Sequence, residues 1–244
     1  MIYIGPAGVP LSSEKRDTVS GIKKVAELGL NAMEVEFVQG VRMSNENAKI
    51  AGKVASDLNI KLSIHAPYFI NLCNKEKQDA SMKRIIDSCE RAYYMHAGVI
   101  VFHPGYYGNL SKETSFDMVK NACIKMQEII EKRGWDVKLG LETTGKQSQF
   151  GTLEEIIAIS KEVKICVPVI DFAHMYARNH GNINYDQIFD KISELKIKHI
   201  HSHFSAIEFG MKGEKKHLPI DVNRPDMEKL AKILVKRNVN ITLI

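Results

Sequence analysis

The amino-acid sequence predicts a single parallel (β/α)8 barrel, a TIM barrel, spanning residues 1–244 as one domain. Three observations predict it. Eight short runs rich in Val and Ile recur along the chain, longer segments of helical period separate them, and no Pro- or Ser-rich linker or low-complexity tract breaks the alternation. Short apolar runs of this kind suit strands buried on both faces of a parallel sheet. Their one-to-one alternation with helices is the pattern of a barrel. At 44% hydrophobic the chain can bury one large core.

The runs are Ile2–Gly5, Ala32–Val38, Ile60–His65, Val99–His103, Val137–Glu142, Ile165–Asp171, Ile197–His203 and Val239–Ile244. Between the third and fourth, Met82, Ile85, Ile86, Cys89 and Tyr93 form a helical stripe. Phe116, Val119, Cys123, Met126 and Ile130 form the next, with Gly134 placed as its C-terminal cap. Thr152-Leu-Glu-Glu155 reads as a capping box that opens a helix through Ile156, Ile157 and Val163. Pro225 is expected in the first turn of a helix carrying Met227, Leu230, Ile233 and Leu234. The alternation stops at Thr242-Leu-Ile244, so the expectation is a barrel of about seven helices that ends in its eighth strand, without a final helix.

Composition narrows the partners. The formal net charge of +5 mildly favours an anionic one. Cys73, Cys89, Cys123 and Cys166 include no Cys-x-x-Cys pair, and Cys89 and Cys123 fall on apolar stripes, as reduced buried thiols do. The N-terminus lacks a signal-peptide pattern, and no apolar run approaches the roughly 18 residues of a membrane span. A soluble cytoplasmic protein with no membrane partner is expected.

In such barrels the active site lies at the C-terminal ends of the strands, so the polar residue that closes each run carries the argument. The third run closes with His65, the fourth with His103, the fifth with Glu142 and the sixth with Asp171, followed by His174. The seventh holds His199, His201 and His203 at spacing two, on one strand face. A lone histidine at a strand end is usually a hydrogen-bonded structural group. Five successive strands ending this way is different, because packing alone does not repeatedly set costly ionisable groups at one rim of an apolar core. Imidazole with carboxylate suits zinc or a related transition metal. Beyond the seventh run, Glu214 and His217 fit either a further metal site or a charged loop. Arg42 and Lys212 fit either a phosphate contact or a solvated surface. His96 reads as a helix-terminal cation and His180 as a loop residue.

At His65-Ala-Pro-Tyr-Phe-Ile-Asn-Leu72, Phe102-His-Pro-Gly105, Leu141-Glu-Thr-Thr-Gly145 and Ile170-Asp-Phe-Ala-His174, in that order, the chain resembles endonuclease IV. This is the zinc-dependent apurinic/apyrimidinic endonuclease family of the xylose isomerase-like barrels. The resemblance runs from Tyr3-Ile-Gly5 to the last strand. It implies up to three Zn2+ ions, with Mn2+ as an alternative. His65 and His103 would bind the first, Glu142 would bridge it to the second and act in catalysis, and Asp171 would join the second with His201. His174 would bind the third with Glu214 and His217, where the family has Asp-x-His. Tyr68 would enter the DNA at the lesion, and His203 and Arg42 would contact substrate. Two further departures stand out. Ile4-Gly-Pro-Ala-Gly8 replaces the family's histidine after the first strand, and the chain reaches Ile244 before the glutamate that completes the family's second zinc site.

The activity this implies is hydrolysis of the phosphodiester 5′ to an abasic site in double-stranded DNA, leaving a 3′-hydroxyl, by a monomer. Two other classes compete. A sugar isomerase or epimerase on the same barrel also gathers Glu, Asp and His at strand ends, but generally around one metal. A non-catalytic zinc- or DNA-binding relative is the second.

Overall fold

The computed structural model describes residues 1–244. Eight parallel strands form the barrel: β1 (Ile2–Ile4), β2 (Ala32–Glu36), β3 (Lys61–His65), β4 (Val99–Phe102), β5 (Lys138–Glu142), β6 (Cys166–Asp171), β7 (Ile200–His203) and β8 (Ile241–Leu243). Each falls within one of the eight runs read from the sequence. Round the barrel the order is β1-β8-β7-β6-β5-β4-β3-β2, so chain neighbours are spatial neighbours. Between β1 and β2 no ladder forms. They meet through a parallel bridge of Ala7 with Glu34, with Gly8 N donating to the Glu34 carbonyl at 2.8 Å. Gly5 makes this approach possible, since a Cβ there would lie 1.7 Å from the Ala32 carbonyl oxygen.

The helices are α1 (Thr18–Glu27), α2 (Asn45–Asp57), α3 (Gln78–Met95), α4 (Lys112–Arg133), α5 (Leu153–Glu162), α6 (Phe172–Arg178), α7 (Tyr185–Ser193) and α8 (Met227–Lys236). The capping box of Thr152 with Glu155 and the left-handed cap at Gly134, φ 67°, both form. One expectation is corrected. Pro225 lies outside α8, and Asp226 caps it instead, accepting from Lys229 N at 3.1 Å. A carboxylate satisfies an orphan N–H at the helix start, which a proline ring cannot do. The count of about seven helices also falls short, because the segment after Asp171 forms the short helix α6 ahead of α7.

The apolar core divides between two regions. Strands β2–β5 pack against α1–α4 around Ile22, Ile64, Ile85, Phe102, Met126 and Phe150. The ends of β6, β7 and β8 pack against α7 and α8 around Phe172, Tyr185, Phe189 and Leu230. The barrel lumen is unusual. Branched apolar residues normally fill it, but Glu34, Ser63, His201 and Thr242 are all buried there. Antiparallel pairing joins Ala206–Gly210 to Gly213–Leu218 in a hairpin that stands over the C-terminal rim. No helix is long and apolar enough to cross a membrane.

Candidate metal centre

Parallel pairing sets the strand ends level. Glu142 pairs with Val169, Asp171 with His203, and His65 with Val101. The polar ends of β3, β5, β6 and β7 therefore converge on one cleft of about 820 Å3. Its lining includes His65, Tyr68, His103, Glu142, Asp171, His174, His203, Glu214 and His217, together with Glu34 and Glu36 from β2.

Glu142 is the hub. Its carboxylate is 1% exposed and lies 2.9 Å from His103 Nε2, 3.2 Å from His65 Nε2, 2.9 Å from His203 Nδ1 and 3.4 Å from His174 Nδ1. Burial is the largest influence on it and pushes its pKa up. The charges of His103 and His203 outweigh that and hold it well below the usual carboxylate range. The same pairing acts on the imidazoles. Burial disfavours the charged form of His65, but Glu142, Glu36 and Glu34 raise it to about 9. His174 likewise reaches about 9 against its burial, through Asp171, Glu142 and Glu214.

Backbone carbonyls orient two of these rings. His65 Nδ1 lies 2.8 Å from the Ala66 carbonyl and His174 Nδ1 lies 2.9 Å from the Thr143 carbonyl. A carbonyl oxygen only accepts, so each Nδ1 keeps its proton, and Nε2 is the nitrogen that would give up its own to a metal. A carbonyl on the far ring nitrogen is the usual support of a metal-ligating histidine. His65 Nε2 faces Glu142, while His174 Nε2 faces His217 Nε2 at 3.3 Å and Glu214 at 3.7 Å. Four groups of His and carboxylate result, each with its donor atoms within 4.8 Å of one another: His65/His103/Glu142, Glu142/Asp171/His203, His174/Glu214/His217 and Glu34/His201/His203. The residues present fit a transition metal, because imidazole and carboxylate oxygen converge in small clusters rather than all-oxygen cages.

The hairpin explains how Glu-x-x-His can serve as one unit. In a regular strand residues three apart point to opposite faces. Here Phe209 pairs with Glu214 while Glu208 pairs with Lys216, so Lys215 is an extra residue, a β-bulge. The bulge shifts the pleat by one and returns Glu214 and His217 to the same side. Gly213, at φ +94°, seats the hairpin: a Cβ there would lie 2.2 Å from the Gly145 carbonyl oxygen.

Several expected site residues are placed differently from the sequence reading. His203, not His201, pairs with Asp171 and reaches Glu142. His201 sits two residues deeper, 2.8 Å from Glu34 Oε2. The period of a strand explains the difference: both residues face the lumen, and only the register decides which one is level with Asp171. Arg42 is exposed on a separate open groove beside Phe37 and Val38, outside the cleft. Tyr68 is 60% exposed at the rim, with its ring 5.9 Å from His65. Glu34 and Glu36 went unremarked in the sequence, although two glutamates at spacing two inside Ala32–Val38 signal a lumen-facing pair. Burial, then the neighbouring Glu34 and Glu142 charges, work against His65 and His203 to raise Glu36 to about 7.

Residues 22–244 match the family described as Xylose isomerase-like TIM barrel. An uncharacterized protein of Methanocaldococcus jannaschii is 36% identical over all of this chain and 91% of its own length. A probable endonuclease 4 of Mycoplasmopsis pulmonis is 31% identical, over 70% of this chain but only 64% of that protein. Among solved structures, endonuclease IV from Thermus thermophilus superposes with a TM-score of 0.69 at 17% identity, over 99% of this chain and 90% of that one. The apo form of a 3-keto-D-glucoside 4-epimerase from E. coli gives 0.71 at 15%, over 100% and 92%. At such identities these two likenesses concern the fold alone.

Proposed function

The chain belongs to the xylose isomerase-like TIM barrel family, and within it we propose a zinc-dependent apurinic/apyrimidinic endonuclease that cleaves double-stranded DNA 5′ to an abasic site. The observation that carries this reading is the trio of donor groups on the rim of one cleft, two of which share Glu142. A multinuclear centre suits in-line displacement at phosphorus, where attacking and leaving oxygens both need stabilising. The solved epimerases share the fold equally well, so fold does not separate the two chemistries. The excess of histidine over carboxylate, and the separate His174/Glu214/His217 group, favour the phosphodiesterase.

Zinc, when bound, supplies Lewis acidity to water and to phosphoryl oxygens at neutral pH. The chain's own residues do the rest. Glu142 is shared by the His65/His103 and Asp171/His203 groups, so it would hold the metals of both and orient the attacking water between them. Glu214 and His217 bring a third set of donors down from the hairpin, above His174. Tyr68, exposed at the cleft mouth beside Phe69, fills the gap left in the base stack at the lesion. An abasic sugar has no base to unstack, so its entry into the cleft is cheap. Water adds to phosphorus and the 3′-oxygen leaves with a proton, giving a 3′-hydroxyl and a 5′-deoxyribose phosphate. The protein acts as a monomer on DNA, in the cytoplasm, and its basic surface makes affinity fall with salt.

The test is incubation of the zinc-supplemented protein with a duplex carrying one abasic analogue. EDTA-sensitive incision 5′ to the analogue is expected. No incision, with turnover of a ketose, assigns the chain to the epimerases, and tight binding without cleavage assigns it to the non-catalytic class.

A further inference from the structure

Glu34 poses a problem that the three rim groups leave unsolved. It is a fully buried carboxylate, 0% exposed, whose charge is met by the imidazoles of His201 and His203. Burying a charge in this way is costly unless it is paired and every lone pair is used. We propose that Glu34, His201 and the Nε2 of His203 form an additional site for a divalent transition-metal ion of the zinc class, within the lumen beneath the Glu142 centre.

The geometry supports this at several points. Glu34 reaches across the lumen from β2 to β7, with His201 Nε2 2.8 Å from its Oε2 and His203 Nε2 2.8 Å from its Oε1. Glu34 Oε1 and His203 Nε2 thus meet as an ion pair, but neither makes a well-aligned hydrogen bond. With His201 Nε2 beside them, these ligand atoms lie close enough together to share one ion. Ser63 Oγ donates to Glu34 Oε2 at 2.7 Å and so fixes the carboxylate from behind, as supporting groups around a metal do. Two imidazoles and one carboxylate match zinc chemistry, and not the all-oxygen shells of Ca2+ or Mg2+.

This site is distinct from the one at Glu142. His203 turns Nδ1 to Glu142 at 2.9 Å and to Asp171 at 3.9 Å, and the opposite edge of its ring to Glu34. No single ion can take both nitrogens of one ring, so an ion held by Nε2 is a different ion from one held by Nδ1. The alternative role for Glu34 is positioning, in which it only accepts the Nε2 proton of His203 and so leaves Nδ1 bare. His201 has no part in that arrangement, and this difference makes the two roles separable.

The experiment is zinc stoichiometry by elemental analysis after equilibrium dialysis, with cobalt(II) absorption as a second readout. It compares the full chain with Glu34→Gln, His201→Gln and the double variant, each checked for native circular dichroism. The expected result is one metal equivalent per chain fewer in each single variant, with no further loss in the double. A full complement in both variants overturns the site while leaving the proposed function standing. Loss in Glu34→Gln with retention in His201→Gln overturns it in favour of positioning. Should Glu34→Gln fail to fold, His201→Gln alone decides. A wild-type chain that takes up no metal at all overturns this site and the proposed function together.

Discussion

Replacing Glu142 by Gln keeps the size of the side chain and removes its charge from the centre of four imidazoles. The carboxylate is 1% exposed; it is the main group that raises His65 to about 9 against its burial, and with Asp171 it raises His174 to about 9. Breaking one partner of such a buried pair costs about 3–5 kcal/mol. For a chain of this length 1 kcal/mol moves Tm by about 2–4 °C, so a drop of about 6–20 °C follows. The pH dependence gives the sign. Both folded-state values lie above the ordinary histidine value of about 6.5. The stabilisation they confer is therefore fully present below about pH 6.5 and fades as pH rises through about 9. Thermal melts of EDTA-treated wild type and Glu142→Gln at pH 6 and pH 9.5 test this. The gap should be wide at pH 6 and narrow at pH 9.5, and zinc should raise the Tm of the variant less than that of the wild type. Equal Tm values at pH 6, or a gap that widens with pH, would refute the electrostatic account of the hub.

Three further outcomes are expected. Deleting Lys215 removes the bulge and brings Glu214 and the histidine to spacing two in a regular hairpin, so the variant should keep the metal held by His174, whereas deleting both Lys215 and Lys216 should lose it; elemental analysis distinguishes them. Tyr68→Ala should leave Tm within about 1 °C, as expected for a side chain 60% exposed. It should also weaken binding to abasic duplex by about 5–150-fold, equivalent to about 1–3 kcal/mol of lost stacking, read by fluorescence anisotropy. All four thiols are buried, and burial pushes Cys73 up to about 12, so a thiol reagent at pH 8 should label none in the native protein and all four after denaturation.

The barrel and most of its rim were legible in the sequence because both depend on local pattern. A parallel strand buried on both faces needs an unbroken apolar run. A polar residue ending that run must then lie at the strand's C-terminal end, so His65, Glu142 and Asp171 declared themselves one strand at a time. His174 followed from its place one turn beyond Asp171, whose side chain caps α6 by accepting from His174 N at 2.7 Å. For the Glu214–His217 pair the sequence left a further metal site and a charged loop both open, because the bulge that puts the two on one side is a property of two paired strands and not of one.

By itself, then, the sequence determined the alternation of eight strands with helices and the chemical character of the rim. Both are set by residues acting within one element. Register was decided only by tertiary structure. Whether His201 or His203 stands level with Asp171 depends on how β7 is staggered against β6, and both choices keep the same face inward. Glu34 belongs to the same class of fact. Its partners lie 167 and 169 residues away on the far side of the lumen. Only closure of the barrel brings a carboxylate from β2 within 2.8 Å of two imidazoles on β7.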